Sequence, residues 1–139
     1  MLDGVKSLVP LAASAELLIV AAALEDGGPD VFADCVALGR LGWCALAVGT
    51  GRAVLDYVIP YVKDRTAFGE SVSNRQAVAF AVANMAIELN GIRLATSRAA
   101  SCVDLGKGFT REVALARRLV AERGMSIGSD GVQLLGGPG

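Results

Sequence analysis

The sequence predicts an all-α protein: an up-down helical bundle, incomplete at its C-terminus, preceded by a short strand-like segment. Three observations carry that expectation. From about residue 34, apolar residues recur at three- and four-residue steps, the period of an amphipathic helix. Glycine-bearing turns separate the periodic stretches. The chain of 139 residues is 53% apolar but only 5% aromatic, so its core has to be assembled from Ala, Val, Leu and Ile. That length is enough to bury the core of one domain.

Residues 1–30 carry short apolar runs broken by turn signals. Leu8-Val9 and Leu17 to Leu24 read as strands, and a short buried helix over 13–24 is the competing reading because alanine is abundant there. Periodicity does not decide between them over so short a run. Glu25-Asp26-Gly27-Gly28-Pro29 is a strong turn.

The first long helix is expected over about 36–66, with Leu41, Cys44, Ala45, Val48, Val54, Leu55 and Val58 facing inward. Gly42, Gly49 and Gly51 each weaken it by about 1 kcal/mol against alanine, unless burial against a close neighbour offsets the cost. Pro60 predicts a bend near its end. A turn at Phe68-Gly69-Glu70-Ser71 leads into a second helix over about 74–105. Its main stripe is Val78, Val82, Met85, Leu89, Ile92, Ala99 and Val103. Phe80, Ile87 and Leu94 form a second stripe at seven-residue spacing, as in a bundle or at a subunit interface.

Gly106 is a plausible C-cap for that helix, and Thr110 an N-cap for the third, about 111–135, with Glu112 favoured in the first turn. The third helix turns Val113, Ala116, Leu119, Val120, Ile127, Val132 and Leu135 inward, and Arg118 and Glu122 form a surface pair. Three long helices make a bundle one member short. A fourth helix beyond residue 139 is the economical completion, with residues 11–24 as the alternative.

Composition excludes several functions. Thirteen basic and fourteen acidic side chains give a formal charge of −1, which offers no broad footprint for nucleic acid. The chain has no histidine, which removes His-based triads and the usual zinc sites. Three scattered cysteines form neither a disulfide framework nor a CxxC unit, so they read as reduced packing residues of a cytoplasmic protein. Residues 17–24 are too short to span a bilayer, and no signal peptide or membrane span is expected.

No complete active site emerges from the residues, and no metal ligands. The carboxylates lack a paired spacing; Glu88 is either a solvated face residue or a buried acid. Cys44 and Cys102 are nucleophiles by type only. Arg65 in KDRTAFG has the rigid fork that grips a phosphate, with Gly69 allowing close backbone approach; equally, it completes a helix C-terminus. Gln76 and Gln133 carry amides suited to the edge of an adenine or a flavin, or are exposed helix residues. The closing GGPG is not a P-loop.

YVKDRTAFGESVSNRQAVAFAVANMAIELNGIRLATSRAA and ARRLVAERGMSIGSDGVQLLGGPG together resemble the C-terminal helical domain of the acyl-CoA dehydrogenase family, from about Gly39 to Gly139. RxxFG, a glutamine a few residues on, and a distant VQxxGGxG are specific in combination. The first thirty residues are similar to a stretch of that family's middle β-domain. The resemblance therefore implies two parts: a middle-domain remnant over 1–33, and a partial C-terminal bundle over 34–139, as in a truncated or internally deleted member.

It also implies roles. Arg65, Phe68 and Gln76 would meet the FAD of a neighbouring subunit. Gln133 and Gly137 would belong to a second FAD-contacting motif, and Arg40 would lie near the acyl-CoA pocket. The family's glutamate base mostly follows the GGxG motif, where this chain stops. In a minority it precedes the first helix's arginine, where this chain has Gly39. The expectation is an acyl-CoA dehydrogenase-like flavoprotein, desaturating an acyl-CoA thioester and passing electrons to an electron-transfer flavoprotein. It would be a homo- or hetero-oligomer of related subunits, with no catalytic residue in this chain. The alternative is a non-catalytic helical module that packs against a related flavoprotein.

Overall fold

The computed structural model describes residues 31–136 without a break, together with 5, 7, 9 and 12–18. The chain forms α1 (Val31–Asp64), a minimal hairpin of β1 (Thr66–Ala67) and β2 (Glu70–Ser71), a 3-10 turn at Val72–Asn74, α2 (Gln76–Asp104) and α3 (Thr110–Leu135). A further 3-10 turn covers Ala12–Ser14. The all-α expectation holds. Val9, Leu17 and Leu18 take no strand among the described residues, while Leu8 and the apolar run 19–24 lie outside them. Gly137 lies outside them too.

The three helices run up, down and up. Gly51 on α1 meets Leu89 on α2 and Ile127 on α3, and Gly131 on α3 meets Val54, Val58 and Met85. The core is built as composition requires: Leu55, Val58, Met85, Ile92, Val113 and Ile127 are buried, with small residues such as Ala99 and Ala116 bringing the axes close. Cys44 is one of these packing residues, and burial raises its thiol pKa, the opposite of what a reactive thiolate needs. Of the two proposed stripes on α2, the first packs inward. The second, Phe80, Ile87 and Leu94, faces out.

Some details differ from expectation. α1 starts five residues earlier than predicted, at Val31, and α-helix persists past Pro60 for another turn to Asp64. Ala45 and Val132 are exposed, because each falls to the outer side of its helix where no fourth element covers it among the described residues. Thr110 is not the N-cap of α3; Phe109 holds that position without a side-chain cap bond, and packs against the core instead. The α2 end does follow its expected chemistry. Gly106 takes φ 61°, its N–H reaches the Val103 carbonyl at 3.0 Å, and the Lys107 N–H reaches that of Cys102 at 2.9 Å. This is the paired bonding of a Schellman motif.

By length and composition alone, α1 and α2 are each long and apolar enough to cross a membrane, a property that the reading of residues 17–24 did not reach.

Candidate flavin-contacting end of the bundle

Arg65 of RTAFG and Leu135 of QLLGG lie seventy positions apart in the chain, yet they meet at one end of the bundle. Arg65, just past α1, donates from Nη1 to the carbonyl of Leu135 at 3.2 Å, and Tyr61 Oη donates to the same carbonyl at 3.0 Å. Arg65 Nη1 also bonds Tyr61 Oη. The Arg65 guanidinium also lies over the Tyr61 ring, 5.6 Å from its centroid, so Tyr61 holds the arginine twice, as a residue four positions back on the same helix face can. Leu135 closes α3 and leaves carbonyls without helical partners, so a guanidinium there answers the partial negative charge of the helix end.

Gly136, next in the chain, takes the left-handed conformation at φ 77° and donates back to the Gln133 carbonyl at 3.2 Å. A Cβ at Gly136 would stand 3.3 Å from Arg65 Nη1. Glycine is required here twice, once for its φ and once for the approach of the guanidinium.

The hairpin is fixed to the end of α1. The Ser71 hydroxyl lies 2.9 Å from the Lys63 carbonyl and 3.2 Å from that of Val62, and the Val72 N–H reaches the Arg65 carbonyl at 2.9 Å. The two central residues of the turn, Phe68 and Gly69, have φ 57° and 84°. Positive φ at both positions suits a tight two-residue hairpin. Glycine bears it freely, but for a bulky residue such as phenylalanine it costs on the order of 1–3 kcal/mol. Phe68 stands clear of the fold at 93% exposure, where the Arg75 guanidinium covers its ring at 4.9 Å. Gln76 follows as the exposed first residue of α2.

Arg65, Phe68, Arg75, Gln76 and the Gln133–Gly136 cap therefore share one end of the bundle. Arg40 does not: it is exposed on the early part of α1, about 36 Å of helix from Arg65 at ~1.5 Å per residue. Gln133 is exposed and borders a groove of about 920 Å³ that runs between α1 and α3 past Trp43, Gly51, Met125 and Ile127. Sequence reading missed Tyr61 and Arg75. Tyr61 is recoverable from its four-residue spacing to Arg65, whereas the link to Leu135 has no local signal.

The donors fit a dinucleotide flavin. Guanidinium groups suit a pyrophosphate, an exposed aromatic ring suits an adenine or flavin face, and the amides of Gln76 and Gln133 suit ring edges.

The glutamates of α2 and α3 are held differently. Glu112 takes 3.0 Å and 3.2 Å bonds from Arg98 and Arg111, and the hydrogen bond from Arg98 is the first cause of its lowered pKa. Glu88 pairs with Arg123 at 3.3 Å, and Glu122 with Arg118 at 3.5 Å. These arrangements hold charge in place.

Comparison with known proteins gives the family. Residues 26–139 match the family described as "Acyl-CoA dehydrogenase, C-terminal domain". The chain belongs to the acyl-CoA dehydrogenase family and corresponds to its C-terminal domain. It is 40% identical over 101 residues to the short-chain specific acyl-CoA dehydrogenase of Bos taurus mitochondria, covering 73% of this chain and 24% of that one. It is 37% identical over 101 residues to the probable acyl-CoA dehydrogenase YngJ of Bacillus subtilis, covering 73% and 27%. Among solved structures, butyryl-CoA dehydrogenase from Megasphaera elsdenii superposes with a TM-score of 0.74 at 30% identity, over 76% of this chain and 27% of that one. PigA, solved with FAD and proline, gives a TM-score of 0.74 at 28% identity, over 78% and 28%. The chain spans about a quarter of the length of the curated relatives it matches.

Proposed function

We propose that this chain supplies the phosphate- and ring-contacting end of a flavin site in an acyl-CoA dehydrogenase-like assembly. Its residues would bind and orient FAD held mainly by a neighbouring subunit. The observation that carries this reading is the convergence of Arg65 and the Leu135–Gly136 cap, fixed by Tyr61. When bound, FAD would accept the hydride in α,β-dehydrogenation of an acyl-CoA thioester.

The roles of the chain's own residues follow from their chemistry. Arg65 holds negative charge at a defined place, because one of its nitrogens is already committed to Leu135 and Tyr61. Phe68 offers a rigid apolar face, with Arg75 adding positive charge beside it. Gln76 and Gln133 present amide donors and acceptors, Gly137 follows the cap, and Arg40 would serve the acyl-CoA end separately. Proton abstraction needs a carboxylate free to act as a base. Glu88, Glu112 and Glu122 are paired with arginines, and in this reading the base would come from elsewhere in the assembly. An electron-transfer flavoprotein-like acceptor would take the electrons. This chain's 36% identity over 102 residues to subunit CarC of a caffeyl-CoA reductase-Etf complex of Acetobacterium woodii supports that partner class.

A second reading has its own support. The outward stripe of Phe80, Ile87 and Leu94 suits a non-catalytic module packed against a related flavoprotein. An anaerobic flavin spectrum of the purified chain with FAD, before and after an acyl-CoA, tests the division of labour. The expected result is no bleaching by the chain alone. Prompt bleaching would overturn the claim that the base lies outside it.

A further inference from the structure

α1 and α3 run parallel, and one register holds along the pair. Gly51 meets Ile127, and Val54 meets Gly131. Seven-residue steps keep a position on the same side of a helix that packs along a neighbour. One step back from Gly51 and Ile127 stand Cys44 and Val120, and a second step reaches Ala37 and Val113; all four are buried in the same core. The outer row takes the same steps. One back from Val54 and Gly131 are Ala47 and Gly124, and both line the groove between the two helices. Two back are Arg40 and Arg117, so the register sets these arginines opposite each other at the head of the groove. Burial raises the Cys44 thiol pKa, and the charge of Arg117 reaches across from α3 to oppose it.

Every other arginine of the chain has a carboxylate, carbonyl, amide or ring partner. Arg40 and Arg117 are exposed and have no hydrogen bond, ion pair or ring contact among the described residues. Two like charges facing each other repel, and an anion between them removes that cost. Immediately beyond them the groove is apolar. Trp43, 71% exposed, stands on one wall and Met125, 73% exposed, on the other. Gly124 and Gly128 add an independent observation. Each weakens α3 relative to alanine, yet a Cβ at either would meet nothing within 4 Å. Packing inside the chain does not require glycine there; what glycine leaves is depth in the groove. Its volume of about 920 Å³ falls within the ~300–1,000 Å³ of small-molecule sites.

We infer that this groove binds a long-chain carboxylate, with the headgroup between Arg40 and Arg117 and the alkyl chain along the apolar trough. The planar fork of arginine matches the two oxygens of a carboxylate. Arg40 stands less than one helical turn from Trp43, so the anion and the apolar chain have to be joined without a polar spacer. A fatty carboxylate is built that way. In an acyl-CoA the pantetheine arm separates the phosphates from the acyl chain, and the thioester carbonyl between them carries no full charge. From Trp43 to Val54 the trough runs about 17 Å at ~1.5 Å per residue. A zigzag of ~1.5 Å bonds advances ~1.3 Å per carbon, so roughly a dozen carbons fill it. The inference does not rest on flavin binding, which is assigned to the other end of the bundle.

Trp43 is the chain's single tryptophan and lines the groove, so its fluorescence reports occupancy. Dodecanoate titrated into the purified chain at mildly alkaline pH should shift the emission to the blue and saturate. Affinity should rise about twofold per methylene from hexanoate to dodecanoate, as expected for methylenes half covered by an open trough. Arg40→Gln and Arg117→Gln should each weaken dodecanoate about tenfold. Arg52→Gln, whose partner is Asp56, should bind as the wild type does. Gly124→Leu should fill the trough and abolish binding, with helix content unchanged by circular dichroism. Dodecanol, which lacks the charge, should bind about tenfold more weakly than dodecanoate. The absence of a saturable shift would overturn the inference, as would equal affinity for dodecanol or arginine variants that bind like the wild type. Tighter binding of dodecanoyl-CoA than of dodecanoate would reassign the groove to a thioester and overturn the carboxylate. Trp43 emission already blue-shifted in the free chain and unresponsive to dodecanoate would mean that protein fills the groove, and would overturn it as well.

Discussion

Gly131 is where α3 comes closest to the rest of the bundle, and replacing it with alanine measures that approach. A Cβ there would stand 2.6 Å from Val54 Cγ1, 3.8 Å from Met85 Cε and 3.9 Å from Val58 Cγ2. The closest of these belongs to a β-branched side chain held in one rotamer by its helix, so relief requires α3 to move away from α1. Overpacking of this kind costs about 1–3 kcal/mol, against a gain of at most ~1 kcal/mol in helix propensity. The net expectation for Gly131→Ala is a loss of about 1–2 kcal/mol. At ~3–5 °C per kcal/mol for a chain of this size, thermal denaturation followed by circular dichroism should show a fall of roughly 3–10 °C. Gly49→Ala is the control, since its Cβ would meet nothing within 4 Å. It should leave Tm unchanged or raise it. A Gly131→Ala protein as stable as the wild type would refute the close packing of α3 on Val54, and with it the positioning of Leu135 beside Arg65.

Three further outcomes are expected. Gly106→Ala should lose about 1 kcal/mol, read by urea denaturation, because φ 61° closes the Schellman motif and penalises a side chain. The Glu112 pKa is lowered in the folded protein, chiefly by its hydrogen bond from Arg98. Its stabilisation is therefore present above the ordinary glutamate range and lost as pH falls through the lowered value. Glu112→Gln should be less stable than wild type at neutral pH, and the difference should shrink in acid. Tyr61→Phe should leave the fold intact but free Arg65 from its second tether, weakening FAD binding less than removal of Arg65 itself.

Much of the fold was legible because its signals are local. The inward stripe of α2 and the glycine cap at Gly106 follow from spacing and backbone chemistry, and the structure keeps both. Thr110 was misjudged as the N-cap because cap preference is weak beside the burial of Phe109, one residue earlier. Ala45 and Val132 were placed inside because an apolar stripe read from sequence is wider than what three helices can cover. The site was legible only in pieces. Gln133 stands out as a polar residue between apolar neighbours and Arg65 as a basic residue at a helix end before Phe68-Gly69, but spacing alone left open whether they bind anything. Their juxtaposition depends on two helices ending at the same height, set by packing at Gly51 and Gly131. Phe68 was marked by the glycine after it, but its own left-handed backbone and its exposure had no sequence signal.

The central claim is that the Arg65–Leu135 junction contacts a dinucleotide flavin. Fluorescence titration of FAD against the wild-type chain and Arg65→Gln tests it most directly. A charge-assisted contact is worth about 1.5–3 kcal/mol, or about ten- to a hundred-fold in affinity. The account predicts FAD binding by the wild type that is weakened by at least that lower factor in Arg65→Gln, with the same helix content in both. Equal FAD affinity in the two proteins would contradict it.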